Sequence, residues 1–189
     1  MNSVVFNIAS SEAIEALLSL ARANEPILDV TYGSGTLWKG STRNVVGVDV
    51  ELGRAKTICG SFMKLPFKDA AFSTVVFDPP FHPYVNSAEQ ARYRGAGNNE
   101  KELREIFEKG LYECWRVTSH HLLVKCQGFI HNHKPQWMPF WAMSALGDPF
   151  EWLIVARGHK RLSGRWKNSF SLRRNHADYL IFSKTGNSR

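Results

Sequence analysis

Short apolar runs alternate with helical patterns along the chain, and this alternation limits the folds that the sequence can adopt. Strands are predicted at Pro26–Tyr32, Asn44–Val50, Ser73–Phe77, His121–Cys126, Glu151–Ala156 and Asp178–Phe182. Helices are predicted at Ser11–Ala23, Glu100–Val117 and Gln136–Leu146. Alternating strands and helices are typical of a mostly parallel sheet that is covered on both faces. The sequence therefore predicts an α/β fold, in which the helices between Gly35 and Asp78 are short or missing.

The predicted helices carry recognisable end signals. Ser10 or Ser11 can cap the first helix at its N-terminus, and Gly147 is placed to end the third helix. Gly110 interrupts the second helix at a modest cost in helix propensity. The third helix also carries an aromatic stripe, which we interpret as core packing rather than as a stacking platform, formed by Trp137, Phe140 and Trp141.

Composition places the chain among globular proteins with a single core. The 189 residues are 43% hydrophobic and 12% aromatic, which excludes global disorder. No run approaches the roughly 18 apolar residues of a membrane helix, and the N-terminal residues do not form a signal-peptide pattern. The three cysteines, Cys59, Cys114 and Cys126, form no C-x-x-C pair. We therefore expect one cytoplasmic domain over residues 1–189, without a disulfide framework or a metal site.

The charge of the chain indicates a polyanionic partner. There are 24 Lys and Arg residues against 17 Asp and Glu residues, which gives a formal net charge of +7. The excess lies in one segment without any acid, which we call the basic segment and which contains Arg157, Lys160, Arg161, Arg165, Lys167, Arg173 and Arg174. Trp166 and Phe170 lie among these cations, and this mixture favours nucleic-acid binding over a merely solvated basic loop.

The first motif with chemical content joins a predicted strand to a glycine turn. The run Leu28–Tyr32 (LDVTY) leads directly into Gly33, Ser34 and Gly35, where glycines let the backbone turn sharply and approach a ligand. Asp49 ends the next strand, at a place where an acid can accept both hydroxyls of a ribose. Taken alone, this pattern fits a tight turn with a surface acid equally well. The chain has no G-K-[ST] sequence here, which excludes a P-loop.

The second motif is more specific, because a strand ends in an acid that two prolines follow. In the run VVFDPPF these residues are Asp78, Pro79, Pro80 and Phe81. Adjacent prolines fix φ and remove two backbone donors, so that the carbonyls of this rim are free to accept hydrogen bonds. An acid beside such carbonyls suits an exocyclic amino group, and the neighbouring aromatic ring can stack a base. The upstream glycine turn and acid favour this interpretation over an ordinary loop with a proline pair.

In this order, LDVTYGSGT, VVGVD and VVFDPPF resemble the class I S-adenosylmethionine-dependent methyltransferases. They resemble more narrowly those that methylate amino groups of nucleic-acid bases, whose signature is [DNS]-P-P-[YFW]. The resemblance spans essentially the whole chain. It implies a Rossmann-like three-layer sandwich, a mostly parallel seven-stranded sheet with an antiparallel last strand, and no separate target-recognition domain. Asp and Phe at the ends of the signature imply adenine-N6 rather than cytosine-N4 as the target.

The resemblance also implies a role for individual residues, with S-adenosyl-L-methionine as the cofactor. The cofactor loop corresponds to Asp29, Thr31, Tyr32, Gly33, Ser34 and Gly35. Asp49 is implied to bind the ribose and Phe62 to pack on the cofactor adenine, whereas Ser61 stands where the family often has an acid. The implied catalytic residues, of which the first also borders the cofactor, are Asp78, Pro79, Pro80 and Phe81.

Several neighbouring side chains have two interpretations. Lys125 and Gln127 end a predicted strand on the ligand side and could contact substrate. His82 could touch the target or simply face solvent, and the polar segment Tyr84–Asn99 forms either a substrate lid or an ordinary loop. Cys126 is interpreted as a core thiol rather than a nucleophile.

The sequence thus predicts a DNA adenine-N6 methyltransferase, and alternatives stay open. They are methylation of adenine-N6 or guanine-N2 in RNA, methylation of cytosine-N4 in DNA, and an inactive nucleic-acid-binding subunit. A small-molecule or protein-glutamine methyltransferase would have no use for the basic segment. Since there is little room for a recognition domain, specificity is expected from the lid, the basic segment, a second copy of the chain or a partner, or else it is relaxed.

Overall fold

The structure is a computed structural model that describes residues 2–81, 99–131, 134–156 and 176–184. Its helices are α1 (Ser10–Leu20), α2 (Glu100–Val117) and α3 (Met138–Leu146), and a 3-10 turn covers Thr36–Trp38. Its strands are β1 (Asn2–Phe6), β2 (Ile27–Asp29), β3 (Val45–Asp49), β4 (Ile58–Cys59), β5 (Phe72–Phe77), β6 (Thr118–Cys126), β7 (Phe129–His131), β8 (Lys134–Gln136), β9 (Glu151–Ala156) and β10 (His176–Ser183). The three predicted helices and six predicted strands are all present, with bounds shifted by a few residues.

Eight of these strands form one sheet in the order β1-β9-β10-β6-β5-β2-β3-β4, and β7 pairs with β8 in a separate hairpin. Strand β10 runs antiparallel to both β6 and β9. The other neighbouring pairs of the sheet are parallel. The prediction of a mostly parallel sheet with an antiparallel last strand is therefore confirmed.

The sheet has one strand more than the seven predicted. Strand β1 pairs in parallel with β9, from Asn2↔Trp152 to Phe6↔Ala156, and adds an eighth strand at the edge. A run of five residues is too short to show a clear period of two, and its partner lies about 150 residues away in sequence, so local patterning gives no signal for it. The two-residue strand β4 and the three-residue strands β7 and β8 are also too short to show a period of two, so they escaped prediction.

Helices cover both faces of the sheet. Successive residues of a strand point to opposite faces, so one strand contributes side chains to the core on each side. Val75 and Phe77 of β5 pack with α2 and α3 in one core cluster, whereas Val76 between them packs with α1 in the other. The rings of Phe77 and Phe107 stack with centroids 5.8 Å apart. Burial on both faces explains why the central strands read as continuous apolar runs.

Helix α1 is not capped by a serine. Ala9 occupies the N-cap position without a side-chain hydrogen bond, so the predicted cap at Ser10 or Ser11 is wrong. The Ala9 carbonyl accepts from the Ala13 N–H at 3.0 Å, which places both serines inside the first turn. At the end of α3 the prediction is confirmed, because Gly147 follows the last helical residue with a φ of 84°.

Gly110, in the middle of α2, lets two aromatic rings approach the helix closely. A Cβ atom at this position would lie 2.6 Å from Phe62 Cδ2 and 2.8 Å from Phe77 Cζ. These two rings pack on each other with centroids 5.3 Å apart. The glycine that weakens helix propensity therefore makes room for an aromatic pair between α2 and the sheet.

The aromatic stripe of α3 is only partly core. Four residues of the helix are buried, and three of them, Met138, Trp141 and Ala142, lie at positions i, i+3 and i+4; the fourth is Pro139. Trp137 and Phe140 lie on the other side and are 40% and 54% exposed. The prediction is therefore right for Trp141 and wrong for its two companions, because a helix of nine residues can turn only one face towards the sheet.

The cysteines divide into one exposed residue, Cys59, and two buried residues, Cys114 and Cys126. Burial raises the pKa of the Cys126 thiol, and the charges of Asp178 and Asp78 add to that rise. A thiol of this kind stays protonated at neutral pH, which agrees with its interpretation as a core residue. Among the described residues, no helix combines the length and the apolar character needed to cross a membrane.

Candidate active site

The carboxyl ends of four parallel strands, β2, β3, β5 and β6, meet at one edge of the sheet. Because the glycine turn follows β2, Asp49 ends β3 and Asp78 follows β5, these sequence motifs converge there. A cavity of about 330 Å³ opens at this edge. Its walls include the predicted residues Thr31, Tyr32, Gly33, Ser34, Asp49, Phe62, Asp78 and Pro80.

The glycine turn is held in place by the acid at the end of the neighbouring strand. Gly33 has a φ of 55° and its N–H donates to Asp49 Oδ2 at 2.9 Å. Gly35 has a φ of 69°, and a Cβ atom there would lie 2.9 Å from the Tyr32 hydroxyl. Both positions thus need glycine, Gly33 for its backbone conformation and Gly35 also for space.

Asp49 can accept further hydrogen bonds while it holds the glycine turn. Its Oδ2 accepts from Gly33, and its Oδ1 accepts from the Glu51 N–H at 2.8 Å. A carboxylate has about four lone-pair sites, so two backbone bonds leave room for hydroxyl donors from a ligand. Glu51 and Arg54, which form an ion pair at 3.0 Å, also line this part of the cavity. Sequence reasoning missed this pair, although its position just after β3 was a usable signal.

Asp29 lies beneath the turn and not in the cavity wall. It is fully buried, and it accepts from Trp38 Nε1 at 2.6 Å and from the Thr31 N–H at 2.9 Å. Burial raises the pKa of its carboxyl to about 6, and the hydrogen bonds from Trp38 and Thr31 oppose that rise. In this structure Asp29 anchors the chain between β2 and the 3-10 turn, and its direct contact with a cofactor stays a prediction.

Asp78 is fixed through both its backbone and its side chain. Its N–H donates to Thr31 Oγ1 at 2.8 Å, and its Oδ2 accepts from Lys125 Nζ at 2.6 Å. Lys125 also lines the cavity, and its side chain is only 11% exposed. The structure brings Lys125 onto the acid of the DPPF motif, and its contact with substrate stays a prediction.

The other predicted residues occupy the surroundings of the cavity. Pro79 is buried, and Phe81 is half-buried against the core cluster of α2 and α3 rather than in the cavity wall. Ser61 accepts from the Met63 N–H at 3.2 Å and does not line the cavity. Phe62 lines the cavity and packs on Phe77 behind it.

Several predictions fall on residues outside those that the structure describes. They concern His82, the greater part of the segment Tyr84–Asn99, and the basic segment with Arg157, Lys160, Arg161, Arg165, Lys167, Arg173 and Arg174. Their roles stay predictions.

Known structures share the fold of this chain. No family model and no curated protein matches it. A protein from Bacillus halodurans C-125 named as a candidate methyltransferase matches with a TM-score of 0.54 at 12% identity, over 92% of this chain and 99% of that one. A protein designated PH0851 matches with a TM-score of 0.51 at 14% identity, over 92% of this chain and 45% of that one. The chain spans about half the length of the first structures that it matches.

The likeness confirms that the chain has the Rossmann-like methyltransferase fold. At identities as low as these, the likeness extends to the fold and leaves the substrate to be argued from the residues of the site.

Proposed function

We propose that this chain is an S-adenosylmethionine-dependent methyltransferase that acts on the exocyclic amino group of a nucleic-acid base, with N6 of adenine in DNA as the leading target. The observation that carries the proposal is that Asp78 and Pro80 of the DPPF motif share one cavity with the Gly33 turn and Asp49. A methyl donor and its acceptor must meet within bonding reach, so a common cavity is the first requirement.

The residues of the cavity fit S-adenosyl-L-methionine. Asp49 retains lone pairs for ribose hydroxyls, the turn at Gly33 allows close backbone approach, and Phe62 can pack on an adenine ring. The volume of about 330 Å³ lies within the usual range of small-molecule sites. When it is bound, S-adenosyl-L-methionine supplies an activated methyl group on its sulfonium.

Asp78 and Pro79 would hold the amino group. The lone pair of an aromatic amine is delocalised into the ring, which makes the amine a weak nucleophile. When the Asp78 carboxylate and the Pro79 carbonyl accept its two hydrogens, the nitrogen is favoured in a more tetrahedral state with a localised lone pair. Neither Pro79 nor Pro80 carries an N–H, so this stretch of backbone offers acceptors and no competing donor. Stacking of a flipped base on Phe81 would require that ring to leave its contact with the core.

The attachment points of the basic segment support a polyanionic substrate. Ala156 at the end of β9 pairs with His176 at the start of β10, and these residues flank the segment. Asp178 pairs with Cys126 at the end of β6, so the two residues that flank the segment lie at the edge of the sheet where Asp78 lies. We expect the cations of the segment to contact the phosphates that flank a target base.

The test is methyl transfer from S-adenosyl-L-methionine with an isotopically labelled methyl group to defined DNA duplexes, DNA single strands and RNA. Nucleoside mass analysis identifies the modified base. Asp78→Ala removes the carboxylate acceptor, and we expect it to lower kcat by about 100-fold or more, because positioning of the amine is lost. Asp148→Ala, at an exposed position outside the cavity, is the matched control.

The products separate the alternatives. N6-methyladenine in DNA supports the leading proposal. Labelled RNA bases or N4-methylcytosine would show that the enzyme methylates a different base amino group by the same kind of reaction. If the wild type binds nucleic acid without transferring label, the chain is a binding subunit. Unchanged transfer by Asp78→Ala would refute the mechanism.

A further inference from the structure

An ion pair at the carboxyl edge of the sheet holds the acid of the DPPF motif. Lys125 Nζ lies 2.6 Å from Asp78 Oδ2, and the two side chains are only 11% and 18% exposed. The register of the sheet explains the contact, because Phe77 of β5 pairs with Val124 of β6 and the next residues along each strand are Asp78 and Lys125. The pair thus joins the first residue after β5 to a residue of β6.

Burial decides how firmly such a pair is held. A charged carboxylate taken largely out of water needs a partner of opposite charge, since removal of that partner leaves a buried charge uncompensated. A hydrogen bond between two ionised groups is also stronger than a neutral one. Lys125 therefore restrains the Asp78 carboxylate in one orientation, while the bond from the Asp78 N–H to Thr31 Oγ1 restrains its backbone.

The two carboxylate oxygens of Asp78 differ in their hydrogen bonds. Lys125 engages Oδ2, and within the described ranges no hydrogen bond reaches Oδ1. Asp78 lines the cavity. One oxygen can thus serve as the anchor while the other accepts a hydrogen from the substrate.

We propose that Lys125 is a positioning residue, which holds the Asp78 carboxylate in the orientation in which Oδ1 receives the amino group to be methylated. The proposal rests on the proposed function, and it adds a part of the catalytic machinery that the DPPF motif does not contain. Lys125 acts through Asp78 and needs no contact with the substrate.

Kinetics of variants test this role. Lys125→Met removes the ammonium and keeps much of the side-chain volume, and we expect kcat to fall about 100-fold while the dissociation constant of S-adenosyl-L-methionine changes less than threefold. Lys125→Arg retains a donor and should recover activity to within about tenfold of the wild type. Lys68→Met, at an exposed position, is the control.

The double variant Asp78→Ala with Lys125→Met shows whether Lys125 acts through Asp78. If it does, the double variant is no slower than Asp78→Ala alone, because the lysine has nothing left to position. If Lys125 instead binds the nucleic acid, the losses multiply and KM for the nucleic acid rises in both backgrounds. Multiplied losses, or a Lys125→Met enzyme as fast as the wild type, would overturn the proposal.

Unfolding in urea provides a readout that does not depend on activity. Lys125→Met leaves the largely buried Asp78 carboxylate without its lysine partner, so we expect this variant to have a lower midpoint than the double variant. Additive midpoint shifts would show that the pair does not form in solution, and would overturn the proposal. A wild type that methylates no nucleic acid would overturn the proposed function and the positioning role together, whereas coupled midpoints would still establish the ion pair.

Discussion

Replacement of Asp29 by Asn tests the electrostatics beneath the glycine turn. Burial raises the pKa of the Asp29 carboxyl from 3.8 to about 6, and the nearby Asp78 charge adds to the rise while the Trp38 and Thr31 hydrogen bonds oppose it. The folded protein therefore keeps a proton on Asp29 at pH values where the unfolded chain has already lost it. Since the unfolded state then binds fewer protons, the free energy of unfolding falls as the pH rises from about 4 to about 6.

The magnitude follows from the two pKa values. The interval from 3.8 to about 6 corresponds to about 3 kcal/mol of unfolding free energy, at about 1.36 kcal/mol for each pKa unit. The side-chain amide of Asp29→Asn does not titrate, so the free energy of unfolding of this variant does not fall with pH for this reason. Its amide places an NH2 group near the Trp38 and Thr31 donors, which adds an offset that does not vary with pH.

The assay is urea denaturation of both proteins at intervals between pH 4 and pH 7.5. Other titrating groups are common to the two proteins, so they cancel when the difference in unfolding free energy is plotted against pH. We expect that difference to change by about 3 kcal/mol in favour of Asp29→Asn, with most of the change below pH 6.5. A difference that stays constant to within about 0.5 kcal/mol would show that burial does not perturb Asp29, and the reasoning would be refuted.

Two further substitutions test the packing around the cavity. Gly110→Ala gains about 1 kcal/mol of helix propensity, but the added Cβ overpacks Phe62 and Phe77 at a cost of about 1–3 kcal/mol. Urea denaturation should therefore show that the free energy of unfolding falls by about 1 kcal/mol. A rise in that free energy would contradict the close contacts. Gly35→Ala forces a Cβ atom into a left-handed position against the Tyr32 hydroxyl, and calorimetry should show weaker binding of S-adenosyl-L-methionine. Gly40→Ala, with a φ of 80° but no atom within 4 Å of the added Cβ, is its control; equal affinity of the two variants would mean that the contact with Tyr32 is immaterial.

The parts of the fold that were predictable are those encoded by local patterns. Helix α2 begins and ends at the predicted residues, Glu100 and Val117, because its apolar residues recur every three or four positions over five turns. The central strands were found because burial on both faces makes them continuous apolar runs. The parallel sheet then placed Gly33, Asp49 and Asp78 at one edge, since carboxyl ends of parallel neighbours coincide.

The parts that were missed depend on contacts between distant segments. Strand β1 is defined by its pairing with β9, and no feature of its own five residues identifies that partner. The role of Asp29 depends on Trp38 Nε1, which only the 3-10 turn brings within 2.6 Å. The Lys125–Asp78 pair required the register between β5 and β6, which the hydrophobic pattern did not supply.

The pairing of Ala156 with His176 has a consequence for how such a protein can diversify. The 19 residues between them begin and end at hydrogen-bonded neighbours, and the entropy of closing a loop depends only weakly on its length. Exchange of that insert for one of different size or charge would leave the described walls of the cavity unaltered, because these come from other parts of the chain. Under the proposed function, the residues that choose the target could then change in evolution without any change in the residues that line the described cavity.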